Sequence, residues 1–347
     1  MSPQKKQDVD VLRKRLSGVA ESVQKSLVDR DDVVEYVMAS LISGVPLVLF
    51  GPPGTAKSAC VRMIADRCTS SNGKAGKFFE YLMTKHTMPE EIFGAADIEA
   101  LLGENPEFVR NTKNMLPDAD FVFLDEVFRG GGHILNTLLA AVNERVFHNG
   151  RDVMQLDLVG VIAAANEAPR SGDDLDAFFD RFPLRVWLPS VLDKSDLAEQ
   201  YDNSKKLLEI SLKLEAESLV RTSSSSPNGY PEDECCSTDD FRAARKHLSK
   251  MSEKKFDTKR FAEFRQVFVE IRRQYCLSDR SFATIWRFGC ALDWLRTGKF
   301  GTAHDSADRL SGHYEALSLV GRDKRESGLL TDKIQNLITN DLEKSDA

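Results

Sequence analysis

The chain has 347 residues, 41% apolar and 29% charged, with 47 basic against 54 acidic side chains for a formal charge of −7. That length exceeds one compact core and suits a large domain with a smaller one. The acidic balance argues against a surface built to neutralise phosphate backbones, although short basic runs occur at Arg242–Lys246 and Lys254–Arg260. No stretch is apolar enough to span a membrane, because the richest, Val33–Phe50, is broken by Glu35, Gly44 and Pro46. The polar amino terminus has no apolar core of the secretory kind. Six cysteines, at 60, 68, 235, 236, 276 and 290, form no CxxC pair and have no histidine at ligand spacing. They read as structural thiols of a reducing cytoplasm, and no zinc is expected.

Residues 8–28 and 31–43 read as helices. The second opens on Asp31 and Asp32, which suit the positive end of a helix, and stops at Gly44. Val45–Phe50 is a short apolar run ending in a glycine-rich turn, the pattern of a buried parallel strand. The turn is Gly51-Pro52-Pro53-Gly54-Thr55-Ala56-Lys57-Ser58, and it leads into a helix from Ala59. A tight turn of this kind faces backbone N–H groups toward an anion, and the helix N-terminus adds partial positive charge. Lys57 is placed to contact β- and γ-phosphates, with the Ser58 hydroxyl on Mg²⁺. Ala56 stands where the general pattern has glycine. As the first residue of a helix it is expected at negative φ, where a methyl group fits.

A second apolar run, Phe121–Leu124, ends in Asp125-Glu126. Two acids at the tip of a parallel strand lie at the crevice where the phosphates sit. Asp125 is the candidate for the metal shell and Glu126 for orienting and polarising the attacking water. Ile134–Glu144 reads as a helix. Arg145–Leu156 carries Asn149-Gly150 between extended runs, the signal of a type I′ hairpin. A third strand, Leu158–Ala165, ends in Asn166, an amide costly to bury without a partner. It could position the water or sense the γ-phosphate. Alternating strands and helices imply an α/β fold with a mostly parallel sheet.

After Pro189 the pattern changes. Residues 191–220 are helical in period, and Thr222–Glu234 is a serine-rich run with little to bury. From Asp239 the chain is helical again, with aromatic residues at 256, 261, 264 and 268. The expected layout is a nucleotide-binding core over 1–190, a connector over 191–238, and a helical lid and tail over 239–347.

Together the Gly51–Ser58 loop, Phe121–Glu126 and Asn166 resemble AAA+ ATPases. Phe79–Gly94 and Ile134–Gly150 resemble the RavA-type branch of the MoxR proteins, over about residues 8–300. The resemblance implies Mg²⁺-dependent ATP hydrolysis in a ring, a hexamer, that remodels or activates a partner with a von Willebrand factor A domain. Within Asp180-Arg181-Phe182, it makes Arg181 the finger reaching a neighbour's nucleotide, with Arg185 as alternative. It makes Arg280, in Leu277–Arg280, the second sensor touching phosphate from the lid, with Arg287 as alternative. It also marks 87–117 as an insert in the second helix and 145–156 as the hairpin before the first sensor. Two other readings stand beside it: a nucleic-acid-stimulated motor or loader, and a scaffold that binds ATP without turnover.

Overall fold

The computed structural model describes residues 3–103, 106–168, 181–193, 196–220, 229–252, 259–272, 275, 277–298, 312–321 and 324–345. Two helices, α1 (Pro3–Gln24) and α2 (Asp31–Ser43), come first. The acids expected at the start of α2 are in its first turn, and the helix ends at Gly44, whose N–H closes on the Ser40 carbonyl. The chain then enters β1 (Leu47–Phe50), buried along its whole length. Burial on both faces explains why the run is continuously apolar rather than alternating.

Among the described residues, β1 belongs to a five-stranded sheet with β3 (Phe78–Leu82), β4 (Phe121–Asp125), β7 (Gly160–Ala165) and β8 (Leu184–Trp187), ordered β3-β4-β7-β1-β8. Every pairing in it is parallel, so all five carboxyl ends open on one edge. Successive residues of a strand point to opposite faces. Leu47 and Leu49 accordingly join one apolar core, with α1, α2 and the carboxyl-terminal helices. Val48 and Phe50 join the other, with Ile134, Leu135 and Leu138 of α6 (Gly132–Leu139). The helix expected to reach Glu144 is α-helical only to Leu139, and continues as a π turn over Ala140–Glu144.

The hairpin is present as β5 (Val146–Asn149) and β6 (Asp152–Gln155), but its turn is one residue off the expected one. Asn149 pairs with Asp152, which leaves Gly150-Arg151 as the two loop residues. Gly150 has φ +64° while Arg151 does not share a positive φ. Glycine at the first central position is the demand of a II′ turn, whereas I′ needs both residues left-handed. Asn149 is instead spent on bracing: its side chain accepts from the Arg110 N–H at 2.6 Å and donates to the Arg110 carbonyl at 3.1 Å. That fixes the hairpin to the insert of residues 87–117, which folds as α4 (Pro89–Phe93), α5 (Ile98–Leu102) and a bridge between Ala96 and Arg110.

The helix expected over 191–220 begins only at Leu197, as α7 (Leu197–Val220). Of the serine-rich run, 221–228 lie outside the described residues. Its end is tied to the core: Glu232–Glu234 make a 3-10 turn and Glu234 accepts from Ser22 of α1 at 2.6 Å. A two-residue strand β9 (Cys236–Ser237) then pairs with β2 (Cys68–Thr69), which directly follows α3 (Lys57–Asp66). The helices α8 (Thr238–Ser252), α9 (Lys259–Arg272), α10 (Asp279–Thr297), α11 (Gly312–Ser318) and α12 (Lys324–Ser345) complete the chain. Phe261, Phe264 and Phe268 recur at helical spacing because they pack edge-on against Phe282 and Trp286. These helices do not stand apart: Phe241, Phe288 and Trp294 share one core with α1 and α2. Arg296 reinforces the joint, pairing with Glu35 of α2 at 2.7 Å and with Glu315.

Candidate active site

The loop Gly51–Ser58 sits at the carboxyl edge of the sheet. Gly51 is obligatory there, since a Cβ would lie 2.4 Å from the Leu188 carbonyl oxygen. Beneath the loop, Phe50 is stacked between Trp187 at 4.4 Å and Phe128 at 5.9 Å, a rigid aromatic floor. Thr55 closes the turn by donating to the Pro52 carbonyl at 2.9 Å, while Pro52, Pro53 and Gly54 are exposed above it. Ala56 corrects the expectation of negative φ. It has φ +65° and ψ +24°, a left-handed residue at the head of α3. The loop must reverse before the helix can begin, so the backbone takes the conformation glycine would give it freely.

Lys57, the first residue of α3, is buried. Its ammonium donates to the carbonyls of Gly51 at 2.6 Å and Pro52 at 3.0 Å, and to Asn166 Oδ1 at 3.3 Å. Burial lowers its pKa, and the charges of Asp125 and Glu126 act in the opposite direction. The lysine therefore already faces both acids. Asp125 accepts from the Glu126 N–H at 2.9 Å, and Glu126 is itself left-handed at φ +50°. Strained backbone of this kind persists where the surroundings over-determine it. Asn166 donates to Glu126 Oε1, so one amide bridges lysine and glutamate, and Arg129 pairs with Glu126 at 3.3 Å. Asp125 and the half-buried Ser58 present the hard oxygen donors that suit Mg²⁺. Lys57, Ser58, Asp125, Glu126 and Asn166 thus gather at one edge, as their positions after three separate strands implied.

The arginines do not. Arg181, Arg280 and Arg287 line a cleft of about 260 Å³ together with Gly44, Pro46 and Glu144. Gly44 and Pro46 precede β1, whereas the phosphate loop follows it. At about 3.3 Å per residue, the strand puts roughly 15 Å between cleft and loop. Within one chain Arg280 therefore lies at the opposite end of the strand from its own phosphate loop. Arg280 and Arg287, two turns apart on α10, have no ion pair among the described residues. Asp180 lies outside the described residues. Arg185, the alternative finger, is a buried residue of β8 that donates to the Val320 carbonyl, so its guanidinium joins the sheet to the turn after Ser318.

Behind the cleft, Arg145 donates to the carbonyls of Leu158, Val159 and Gly44, and Arg245 to those of Leu41, Ile42 and Val159. Burial first, then the charges of Arg145, Arg287 and Arg242, pull the Arg245 pKa down to about 9. Arg242 is engaged by Asp157 at 2.8 Å and Asp239 at 3.0 Å. The basic run Arg242–Lys246 is therefore partly consumed internally; residues 253–258 of the other run lie outside the described residues.

One residue that braces the loop escaped the sequence. Arg30 is 3% exposed, and it bridges the phosphate loop to the strand ends by donating to the carbonyls of Thr55 at 3.2 Å and Pro189 at 2.7 Å. It borders a cavity of about 810 Å³ whose walls include Asp31, Tyr36, Trp187, Pro189 and Ser327. The volume falls in the range of small-molecule sites. Only the charged triplet Asp29-Arg30-Asp31 ahead of α2 hinted at it, and such triplets are common at helix starts.

Comparison with known proteins bears on the fold and the family. A family model described as the MoxR domain in MoxR-vWA-beta-propeller ternary systems matches residues 14–222. Two uncharacterised proteins of Methanocaldococcus jannaschii are similar. One is 32% identical over 59% of this chain and 51% of its own length, the other 36% over 49% and 43%. A structural protein of Acidianus two-tailed virus is 30% identical over 53% of this chain and 30% of its own. The chain thus spans about half or less of the curated relatives it matches. A crystal structure of a protein from Cytophaga hutchinsonii, described as an ATPase, superposes with a TM-score of 0.66 over 97% of both chains at 15% identity, a likeness of fold. The RavA-type branch stays a resemblance of the sequence.

Proposed function

The chain belongs to the MoxR family of AAA+ ATPases, and we propose that it hydrolyses ATP in a ring whose active sites are shared between neighbouring copies. One observation carries this reading: three arginines, Arg181, Arg280 and Arg287, meet in a cleft at the amino end of β1, beyond reach of the chain's own phosphate loop. Cations that stabilise a transferring phosphoryl group must touch it. In a closed head-to-tail ring each arginine cleft faces the next subunit's loop.

In this mechanism the loop backbone and Lys57 cradle the phosphates, which replace the Gly51 and Pro52 carbonyls as partners of the ammonium. Ser58 and Asp125 would hold Mg²⁺, which when bound neutralises charge on the β- and γ-oxygens. Glu126 orients the attacking water and takes its proton, and Asn166 keeps the carboxylate aimed. The cavity beside Arg30 takes the base and ribose. Arg181, with Arg280 and Arg287 beside it, completes the site from the neighbouring copy.

The description of the matching domain supports a partner with a von Willebrand factor A domain, which the ATP cycle remodels or activates. A hexamer in the cytoplasm fits that role. The internal engagement of Arg242 and Arg245 counts against a nucleic-acid surface.

The test is ATP turnover per subunit across protein concentration. The rate should rise cooperatively for wild type and stay near background for Arg181→Ala, which still binds ATP. Mixing Arg181→Ala with Glu126→Gln should restore activity, because some interfaces then combine an intact glutamate with an intact arginine. A rate per subunit that is flat with concentration and indifferent to Arg181→Ala overturns the shared site.

A further inference from the structure

Two of the cysteines, 168 residues apart in a sequence without a cysteine motif, are brought together by the fold. Cys68 leaves α3 as the first residue of β2, and Cys236 opens β9 directly before α8. The two strands run parallel with Cys68 opposite Cys236, and the sulfurs are 3.2 Å apart. Neighbouring strands lie about 4.8 Å apart. That separation falls in the Cα window of a disulfide, about 4.4–6.8 Å, and residues directly opposite share a face of the ladder.

We propose that Cys68 and Cys236 are a site of reversible oxidation, closing to a disulfide with a small-molecule disulfide of the glutathione class as oxidant. One cysteine attacks the oxidant as thiolate and expels one small thiolate, leaving a mixed disulfide on the protein. The second loses its proton and displaces the other small thiol. The protein pair gives up two electrons and two protons, and the oxidant is reduced to two thiols.

Three features favour closure at this place. The segment carrying Cys236 is held in register before any bond forms: its N–H donates to the Arg67 carbonyl at 3.1 Å and its carbonyl accepts from Thr69 Oγ1 at 3.4 Å. The preceding turn is pinned as well, by Glu234 on Ser22 at 2.6 Å and by Tyr230 under the Arg67 guanidinium at 4.2 Å. The half-buried Cys235 stands next door and gives solvent its nearest approach, since Cys68 and Cys236 themselves are 0% and 5% exposed. The contact with Cys68 and burial hold the Cys236 thiol well above its ordinary pKa. Only thiolate attacks, so closure is slow at neutral pH and accelerates as pH rises. The bond would join the end of the phosphate-loop helix to the start of the carboxyl-terminal helices, across the serine-rich run.

The experiment uses the full chain, incubated with oxidised glutathione at several pH values, alkylated, and mapped by mass spectrometry without reduction. A peptide linking Cys68 to Cys236 is expected, lighter by two hydrogens, forming faster at higher pH and lost on adding dithiothreitol. It should persist in Cys235→Ser and vanish in both Cys68→Ser and Cys236→Ser. The proposal is overturned if both cysteines remain alkylatable after unfolding with no linked peptide, or if linkage forms only in unfolded protein. Because the wild-type measurement decides it, a variant that fails to fold does not obscure the result, and it stands apart from any outcome with ATP.

Discussion

The left-handed Ala56 sets up a comparison whose sign follows from backbone geometry alone. Holding an L-residue at φ +65° costs about 1–2 kcal/mol, a cost glycine does not carry. Against that, glycine frees the unfolded chain by about 0.4–1 kcal/mol. Losing a half-buried methyl group removes about 0.4 kcal/mol more. Ala56→Gly should therefore be close to neutral, leaning toward stabilisation by roughly 0.4 kcal/mol. Ala59→Gly, three residues into the right-handed part of α3, has no strain to relieve and should cost about 1 kcal/mol. The gap of about 1.4 kcal/mol corresponds to roughly 2 °C between the two thermal midpoints. Thermal and urea denaturation of both variants beside wild type measure it. If Ala56→Gly is destabilised as much as Ala59→Gly, the left-handed assignment and the reasoning from it fail together.

Other expectations follow from the same site. Glu126→Gln should bind ATP with near wild-type affinity yet lose about 10²–10⁴ in single-turnover rate; retained turnover would remove Glu126 from the mechanism. Phe50→Ala should cost about 3–5 kcal/mol, because the ring is fully buried between Trp187 and Phe128, and a loss under 1 kcal/mol in denaturant would contradict its role as floor. His247 has its pKa pushed below the ordinary 6.5 by burial and then by Lys250. The unfolded chain thus takes up the proton first, and the stability tied to neutral His247 is present above pH 6.5 and lost as pH falls below it. Wild type should lose more stability than His247→Gln between about pH 7.5 and about pH 5.5, and equal losses would refute this.

What the sequence made legible was local. Lys57, Asp125 and Asn166 each end or follow an apolar run, and a parallel sheet brings such positions to one edge whatever the details of packing. The aromatic period at 261, 264 and 268 was equally plain, because helical spacing alone puts those rings on one face. Other features depended on packing that no short window contains. Arg280 belongs to a helix whose placement is set by contacts with α2, far away in the chain. Arg30 is indistinguishable from a solvated charge until Thr55 and Pro189 surround it. The hairpin turn slipped by one residue because Asn149 is held by Arg110, a tertiary contact that overrode local turn chemistry. Ala56 was misjudged for a related reason: its type permits a helix, but the loop before it dictates the backbone.

The position of β1 inside the sheet has a consequence for how the chain is made. Leu47 pairs with Ile162 on one side and Leu184 on the other, and neither partner strand is its neighbour in sequence. When the phosphate loop emerges during synthesis, both flanking strands are still more than about a hundred residues from completion. Closing loops of that length comes before any ladder bond rewards it, which slows folding of this topology. Until Trp187 has been added, β1 is an uninterrupted apolar strand with an open edge, the kind of segment that pairs with other chains. Nascent chains stalled before β8 should therefore be the aggregation-prone species of this protein, even though they already contain every residue of the phosphate loop.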